Sequence, residues 1–225
     1  MKDYDSYRKD RFYLPKNFMF DLTTSDRYTI GQSRYNLMIG NYSRVLDLGA
    51  NIGAFIAWAK YRAPECHIVA IEPNTHLMTQ LQHNAKLFNG VKVIEGAAVV
   101  NANKFVNLFS THSKMSASLY PLKDSTVYKT RAIDVRPLIE NHDVVKIDVE
   151  CYEYEIILAC DFSNVRSLAV EFHFRLREHD GLIYDCVDRL KSFGLLTKKR
   201  VKKYDFNKYR SSAYTRYSTF IFNRL

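Results

Sequence analysis

Apolar residues along this chain fall in short runs that alternate with segments of helical spacing. Arg44-Val45-Leu46-Asp47 is a compact apolar strand ending in an acid, and residues 49–53 form a turn. Ala54-Phe55-Ile56-Ala57-Trp58-Ala59-Lys60 is rich in good helix formers. His67-Ile68-Val69-Ala70-Ile71-Glu72 predicts a second buried strand, stopped by Pro73. Residues 75–88 predict a helix with Leu77, Leu81, Leu87 and Phe88 on its apolar side. A third strand follows at 91–95, a further strand at 105–109, and a brief one at 131–133. Residues 134–140 read as a short helix or turn, 143–148 as a fourth main strand, and 152–159 as a helix. A fifth main strand at 165–173, a helix at 181–193 and a closing strand at 218–222 complete the series.

Near-continuous apolar strands alternating with helices predict an α/β fold, a mostly parallel sheet with helices on both faces. In such sheets the ligand lies beyond the carboxyl ends of the strands, so the residues that follow each strand carry the chemistry. The chain has 225 residues and shows no repeat, low-complexity tract or Pro/Gly linker. One domain over residues 41–225 is expected, after an N-terminal extension, 1–40, with a helical stretch around 25–39.

Charge adds one feature. The net charge of +9 resides wholly in residues 191–225, which hold ten basic residues against Asp205 alone. The segment is densest at Lys198-Lys199-Arg200-Val201-Lys202-Lys203 and fits a phosphorylated or otherwise anionic acceptor, or a solvated surface. Cys66, Cys151, Cys160 and Cys186 show no paired spacing and read as reduced core thiols. No apolar run is long enough to span a bilayer and the first residues are polar, so a cytoplasmic setting is expected.

The first strand runs into Asp47-Leu48-Gly49-Ala50-Asn51-Ile52-Gly53. Its glycines permit a tight turn and close approach of a ligand to backbone. The Gly-x-Gly-x-x-Gly spacing that cradles a pyrophosphate is absent, and Asp47 would repel that anion. S-adenosylmethionine carries a sulfonium and an ammonium instead of phosphate, and Asp47 suits its cationic end. Glu72, about 20 residues on at the next strand end, suits the ribose hydroxyls, with Pro73 beside it. Gly49, Ala50, Asn51 and Gly53 shape the turn, and Ala97, after the third strand, is expected beside the adenine.

These stretches resemble the FkbM-type family of class I methyltransferases. The matches are residues 45–53, Ala70-Ile71-Glu72-Pro73-Asn74, Ser116-Ala117-Ser118-Leu119, Val145-Lys146-Ile147-Asp148-Val149-Glu150 and Val170-Glu171-Phe172-His173. They run in family order over roughly residues 43–175. The resemblance implies a Rossmann-like, doubly wound sheet of seven strands with an antiparallel final strand, which Phe220–Phe222 can supply. It also implies O-methylation, typically of sugar hydroxyls. Cys151 departs from the glycine that usually follows the Asp-x-Glu, so the turn below the acceptor is expected to differ.

Asp148 and Glu150 are two residues apart, as are Glu171 and His173, and period-two spacing puts each pair on one side of a strand. Three carboxylates and an imidazole near one point are costly to bury without a function. Methyl transfer gains from alignment and from a base on the acceptor hydroxyl. His173 is the first expected base, with Glu171 or Asp148 orienting or replacing it. The competing route is a divalent cation such as Mg²⁺ held by Asp148, Glu150, Glu171 and His173. Lys146 is expected as a structural ion-pair partner. The acceptor is expected to be a glycan, a nucleotide-sugar or another hydroxylated small molecule. RNA ribose methylation and an inactive cofactor-binding scaffold are the alternatives.

Overall fold

The computed structural model describes residues 15, 17–19, 35, 37–101, 104–110, 117–121, 125–174, 179, 181–197 and 217–224. The sequence order is β1 (Arg44–Leu48), α1 (Ala54–Arg62), β2 (His67–Glu72), α2 (Met78–Ala85), β3 (Val91–Glu95) and β4 (Ala97–Val99). Next come β5 (Phe105–Ser110), β6 (Ala117–Ser118), β7 (Thr126–Asp134), α3 (Arg136–Glu140) and β8 (Val144–Ile147). The chain continues through α4 (Glu153–Ala159), β9 (Ser167–His173), α5 (Leu182–Ser192), β10 (Leu195–Leu196) and β11 (Tyr217–Arg224).

The main sheet has seven strands in the order β10-β11-β9-β8-β1-β2-β3. The five strands β9, β8, β1, β2 and β3 are mutually parallel, and β11 runs antiparallel between β9 and β10. Strand order reverses at β1, with β2 on one side and β8 on the other, which places a crevice above their carboxyl ends. The doubly wound, Rossmann-like architecture expected from the sequence is present, and the sheet is mixed because of β11.

Alternation along each strand feeds two cores. Val45, Ala70, Val144 and Ala169 face α1 and α2, where Phe55, Trp58 and Leu81 cover them. Leu46, Leu48, Val145, Ile147 and Leu168 face the other way, under Tyr154 and Ile157 of α4 and Ile183 and Leu190 of α5. A polar residue on the α1 side of these strands is therefore buried with no route to water except the strand end. Asp47, Lys146 and Glu171 occupy such positions. All four cysteines are free and buried, as expected of core thiols.

The second sheet, in the order β4-β7-β5-β6, was not evident as a unit in the sequence. β7 extends over Thr126–Asp134, well beyond the short strand expected at 131–133; residues 126–131 pair with β5 and 132–134 with β4. Gly96 makes the step between the sheets: a Cβ there would lie 2.9 Å from the carbonyl oxygen of Arg131. The helix expected over 75–88 is shorter, at Met78–Ala85. The helical stretch expected at 25–39 lies mostly outside the described residues, and Leu37, Met38 and Ile39 are not helical. The basic run at 198–203 also lies outside them. Among the described residues no helix is long and apolar enough to cross a membrane.

Candidate active site

The turn after β1 is built by three residues in the left-handed region, Gly49 (φ 79°), Asn51 (φ 52°) and Gly53 (φ 89°). Gly49 is there because the carboxyl ends of β1 and β8 almost touch: a Cβ would stand 1.8 Å from the carbonyl oxygen of Asp148. The N–H groups of Gly49 and Ala50 both donate to the carbonyl of Ile71, at 2.9 and 3.0 Å. Glu72 then ties turn to strand. Its Oε2 accepts from the Asn51 N–H at 2.8 Å and its Oε1 from the Asn74 N–H at 2.9 Å. Burial pushes this carboxyl up to about 7, against the pull of those two donors.

Above the turn lies a cleft enclosing about 610 Å³ of space, part of it open to solvent. Gly49, Asn51, Glu72, Pro73, Ala97, Asp148 and Glu150 line it. Leu108, Ala117 and Leu119 of the second sheet and its margin form an apolar wall. The residues fit S-adenosylmethionine. A carboxylate offers about four lone-pair positions, and Glu72 commits two to backbone while still lining the cleft, leaving acceptors for ribose hydroxyls.

Asp47 is placed differently from the expectation. It has no solvent exposure and does not line the cleft. Its Oδ1 accepts from the Lys146 ammonium at 3.0 Å, and that ammonium also donates to the Gly49 carbonyl at 2.6 Å. Asp47 and Lys146 are paired residues of the β1–β8 ladder, so their side chains meet on one sheet face. Burial opposes the charge of Lys146, but Asp47, Asp148 and Glu171 outweigh it and hold the ammonium above its ordinary range. The direct contact expected between Asp47 and a ligand's ammonium is therefore corrected: Asp47 anchors Lys146, and Lys146 fixes the turn. Lys146 is the structural partner expected. Ala50 and Gly53 are likewise buried beneath the turn and shape it without lining the cleft.

The backbone after β8 is unusual. Glu150 (φ 54°) and Cys151 (φ 93°) are consecutive left-handed residues, neither of them glycine. Such residues cost about 1–3 kcal/mol each and persist only when neighbours over-determine them. Glu153, fully buried at the start of α4, does so: its Oε1 accepts from the Val149 and Cys151 N–H groups at 3.1 and 3.2 Å, and its Oε2 from Cys151 at 3.1 Å. Ser118 secures the other side, donating its hydroxyl to the Glu150 carbonyl at 2.6 Å. The turn thus presents Asp148 and Glu150 to the cleft.

His173 sits behind them, enclosed by acids. Its Nδ1 is 2.9 Å from Glu153, and its Nε2 is 3.4 Å from Glu150 and 4.0 Å from Glu171. Burial alone would favour the neutral ring, but Glu150, Glu153 and Asp148 prevail and push its pKa up to about 10. An imidazolium has no lone pair with which to take a proton. The expectation of His173 as the base is corrected: it does not line the cleft and both its ring nitrogens face carboxylates, so it is not placed against an acceptor. It offsets the charge of the acids around it. Glu171 is also buried, accepting from the hydroxyls of Tyr35 at 3.1 Å and Thr219 at 3.3 Å, and does not line the cleft. Of the three residues expected to act on the acceptor, only Asp148 lines the cleft.

The cation set Asp148, Glu150, Glu171 and His173 does not converge as expected. Among the described residues the group that brings its ligand atoms within 4.8 Å is Asp148, Glu153 and His173. Within it, Glu153 and the His173 Nδ1 already bond each other, and Glu153 also caps two backbone N–H groups. Those donors fit the hydrogen-bond network better than a metal ion. Sequence reasoning missed Glu153 and Tyr35. An acid in the first turn of a helix directly after Asp-x-Glu is a capping signal for the first; no sequence signal marks the second.

A doubly wound sheet with an open turn after β1 and an acid lining the cleft after β2 defines the class as Rossmann-like α/β. The particular family follows from the comparisons: the methyltransferase FkbM domain model matches residues 47–200, and the chain belongs to that family of S-adenosylmethionine-dependent methyltransferases. Methyltransferase FkbM from Methylobacillus flagellatus KT is similar in fold, with 15% identity and a TM-score of 0.53. The alignment covers 83% of this chain and 44% of that one, so this chain spans less than half that protein's length. Aeropyrum pernix fibrillarin, crystallised with natively bound S-adenosyl-L-methionine, aligns at 16% identity and a TM-score of 0.48, over 81% of this chain and 67% of that one. No curated protein matches the sequence.

Proposed function

We propose that the protein methylates a hydroxyl of a sugar, glycan, nucleotide-sugar or related small molecule. S-adenosylmethionine, when bound, supplies an electrophilic methyl group on a sulfonium. Glu72 holds the ribose, Lys146 and Gly49 keep the turn in register, and the second sheet walls off water. The observation that carries the reading is the pair Asp148 and Glu150, which line the cleft from a left-handed turn after β8. Two carboxylates there accept hydrogen bonds from neighbouring hydroxyls of a polyol and orient one of them for in-line attack. Alignment of this kind is worth up to about 7–11 kcal/mol in favourable cases.

Asp148 takes the role of proton acceptor because, unlike His173 and Glu171, it lines the cleft. General-base assistance contributes roughly 10² to 10⁴-fold. The same two carboxylates disfavour RNA ribose as acceptor, because a flanking phosphate would meet like charge. A phosphorylated acceptor would have to hold its phosphate elsewhere, and the basic C-terminal segment is our proposed location for it.

Incubation with methyl-labelled cofactor and parallel panels of glycosides, nucleotide-sugars and RNA oligomers tests the assignment. Methylated glycosides or nucleotide-sugars are expected, at a rate unaffected by a chelator. Transfer to RNA alone would replace the reading, and cofactor binding without transfer to any panel would favour a scaffold. Loss of activity on chelation, restored by Mg²⁺, would reinstate a metal-assisted route.

A further inference from the structure

Two side chains reach the acid cluster from outside the matched residues 47–200: Thr219, which bonds Glu171, and Tyr35, which bridges two of the acids. Tyr35 is buried, and its hydroxyl lies 3.0 Å from Oδ2 of Asp148 and 3.1 Å from Oε2 of Glu171. Its ring packs edge-on against Phe55 of α1, with centroids 5.7 Å apart, and the Lys146 ammonium stands 5.6 Å from its centroid. The placement is anchored downstream: Leu37 is buried in the α1-side core, and the Met38 N–H donates to the Ser167 hydroxyl at 3.0 Å. The segment before β1 is thus tied to the start of β9 while its tyrosine reaches the end of that strand.

We propose that Tyr35 is a positioning residue for methyl transfer, a phenol bridge that sets the spacing of Asp148 and Glu171 and makes the N-terminal segment part of the acceptor site. A phenol carries one proton and so donates fully to one carboxylate at a time. While Asp148 is ionised and the acceptor hydroxyl keeps its proton, the Tyr35 proton serves Asp148. When the acceptor O–H bond breaks and its proton forms a new O–H bond on Asp148, the phenol turns its own proton toward Glu171. The phenol thus donates to Asp148 before transfer and to Glu171 after it, and no net proton has to leave the site during transfer. Lys146, between Asp47 and Asp148 and over the Tyr35 ring, balances the charge throughout. The inference rests on the methyl-transfer reading for its consequence, while the bridge itself is a property of the protein alone.

The test compares wild type, Tyr35→Phe and Tyr35→Ala in the full chain. Tyr35→Phe keeps the ring contacts and removes only the hydroxyl. Its thermal midpoint and its calorimetric affinity for S-adenosylmethionine are expected to stay close to wild type, the affinity within about two-fold. Its kcat on whichever acceptor wild type methylates is expected to fall at least ten-fold, with KM for the cofactor unchanged. Tyr35→Ala should lose turnover to the same degree and fold stability besides. Unchanged kcat in Tyr35→Phe would overturn the proposal, as would a fall in cofactor affinity that accounts for the whole loss. If wild type methylates no acceptor, the functional reading fails separately, and hydrogen exchange then decides the bridge. Amides at 148–151 should exchange at least five-fold faster in Tyr35→Phe, and equal exchange would refute the bridge.

Discussion

Two sets of residues at the cleft are built by different means. The proposed cofactor side is local: a turn of five residues, one strand and Glu72, joined by hydrogen bonds from backbone N–H groups. The proposed acceptor side is assembled from distant parts. Asp148 and Glu150 follow β8, Glu153 opens α4, Glu171 and His173 end β9, and Tyr35 arrives from before β1. The first relies on glycines, which relieve strain; the second keeps two left-handed non-glycine residues and clamps them with a buried acid. The turn therefore depends on the absence of a side chain at Gly49, whereas the second set depends on a network in which each charge needs its neighbours.

The sharpest way to break this contrast is to remove the clamp. Glu153→Ala leaves the His173 imidazolium with one fewer counter-charge and frees two strained amides. Breaking one partner of a buried pair costs about 3–5 kcal/mol, which chemical denaturation would read directly. A loss under about 1 kcal/mol would show that the turn holds itself.

Glu72 sharpens the same comparison through pH. Its folded pKa, about 7, lies above its ordinary value of 4.5, so between these values the folded state binds its proton more tightly than the unfolded state. Stability from this group is complete below about pH 4.5 and is lost as pH rises through about 7, a swing of about 3 kcal/mol at most. Glu72→Gln should flatten that part of the stability curve without a bound cofactor. A slope that survives the substitution would assign it to another group.

Legibility followed the same division. The strand and turn from Val45 to Gly53 and the strand end at Glu72-Pro73 were readable because their signals lie in adjacent residues. Alternation of apolar strands and helices gave the mostly parallel sheet, and the family resemblance its seven strands. The second sheet was only half visible, since β4 and β6 have three and two residues and no periodicity of their own. Asp47 was recognised as important but aimed wrongly, because strand alternation alone does not reveal that Lys146 is its ladder partner. His173 was recognised and given the wrong charge state, because the acids that hold it protonated include Glu153, 20 residues away in sequence and adjacent only in the fold. Tyr35 lay beyond any motif.

The smallest effect concerns Cys151. Replacing it with glycine relieves left-handed strain of about 1–3 kcal/mol but gives up the burial of a small apolar group and adds chain entropy, each about 1 kcal/mol. The net change in stability should stay within about 1 kcal/mol, as measured by thermal unfolding. A loss of several kcal/mol would mean that the thiol packs in a way its burial alone does not express.

Calorimetric titration of S-adenosylmethionine into the wild-type chain and into Glu72→Ala tests the central claim most directly. The account predicts one cofactor per chain in the wild type and at least a ten-fold loss of affinity in the variant. Equal affinity in the two proteins, or no binding to wild type, would contradict it.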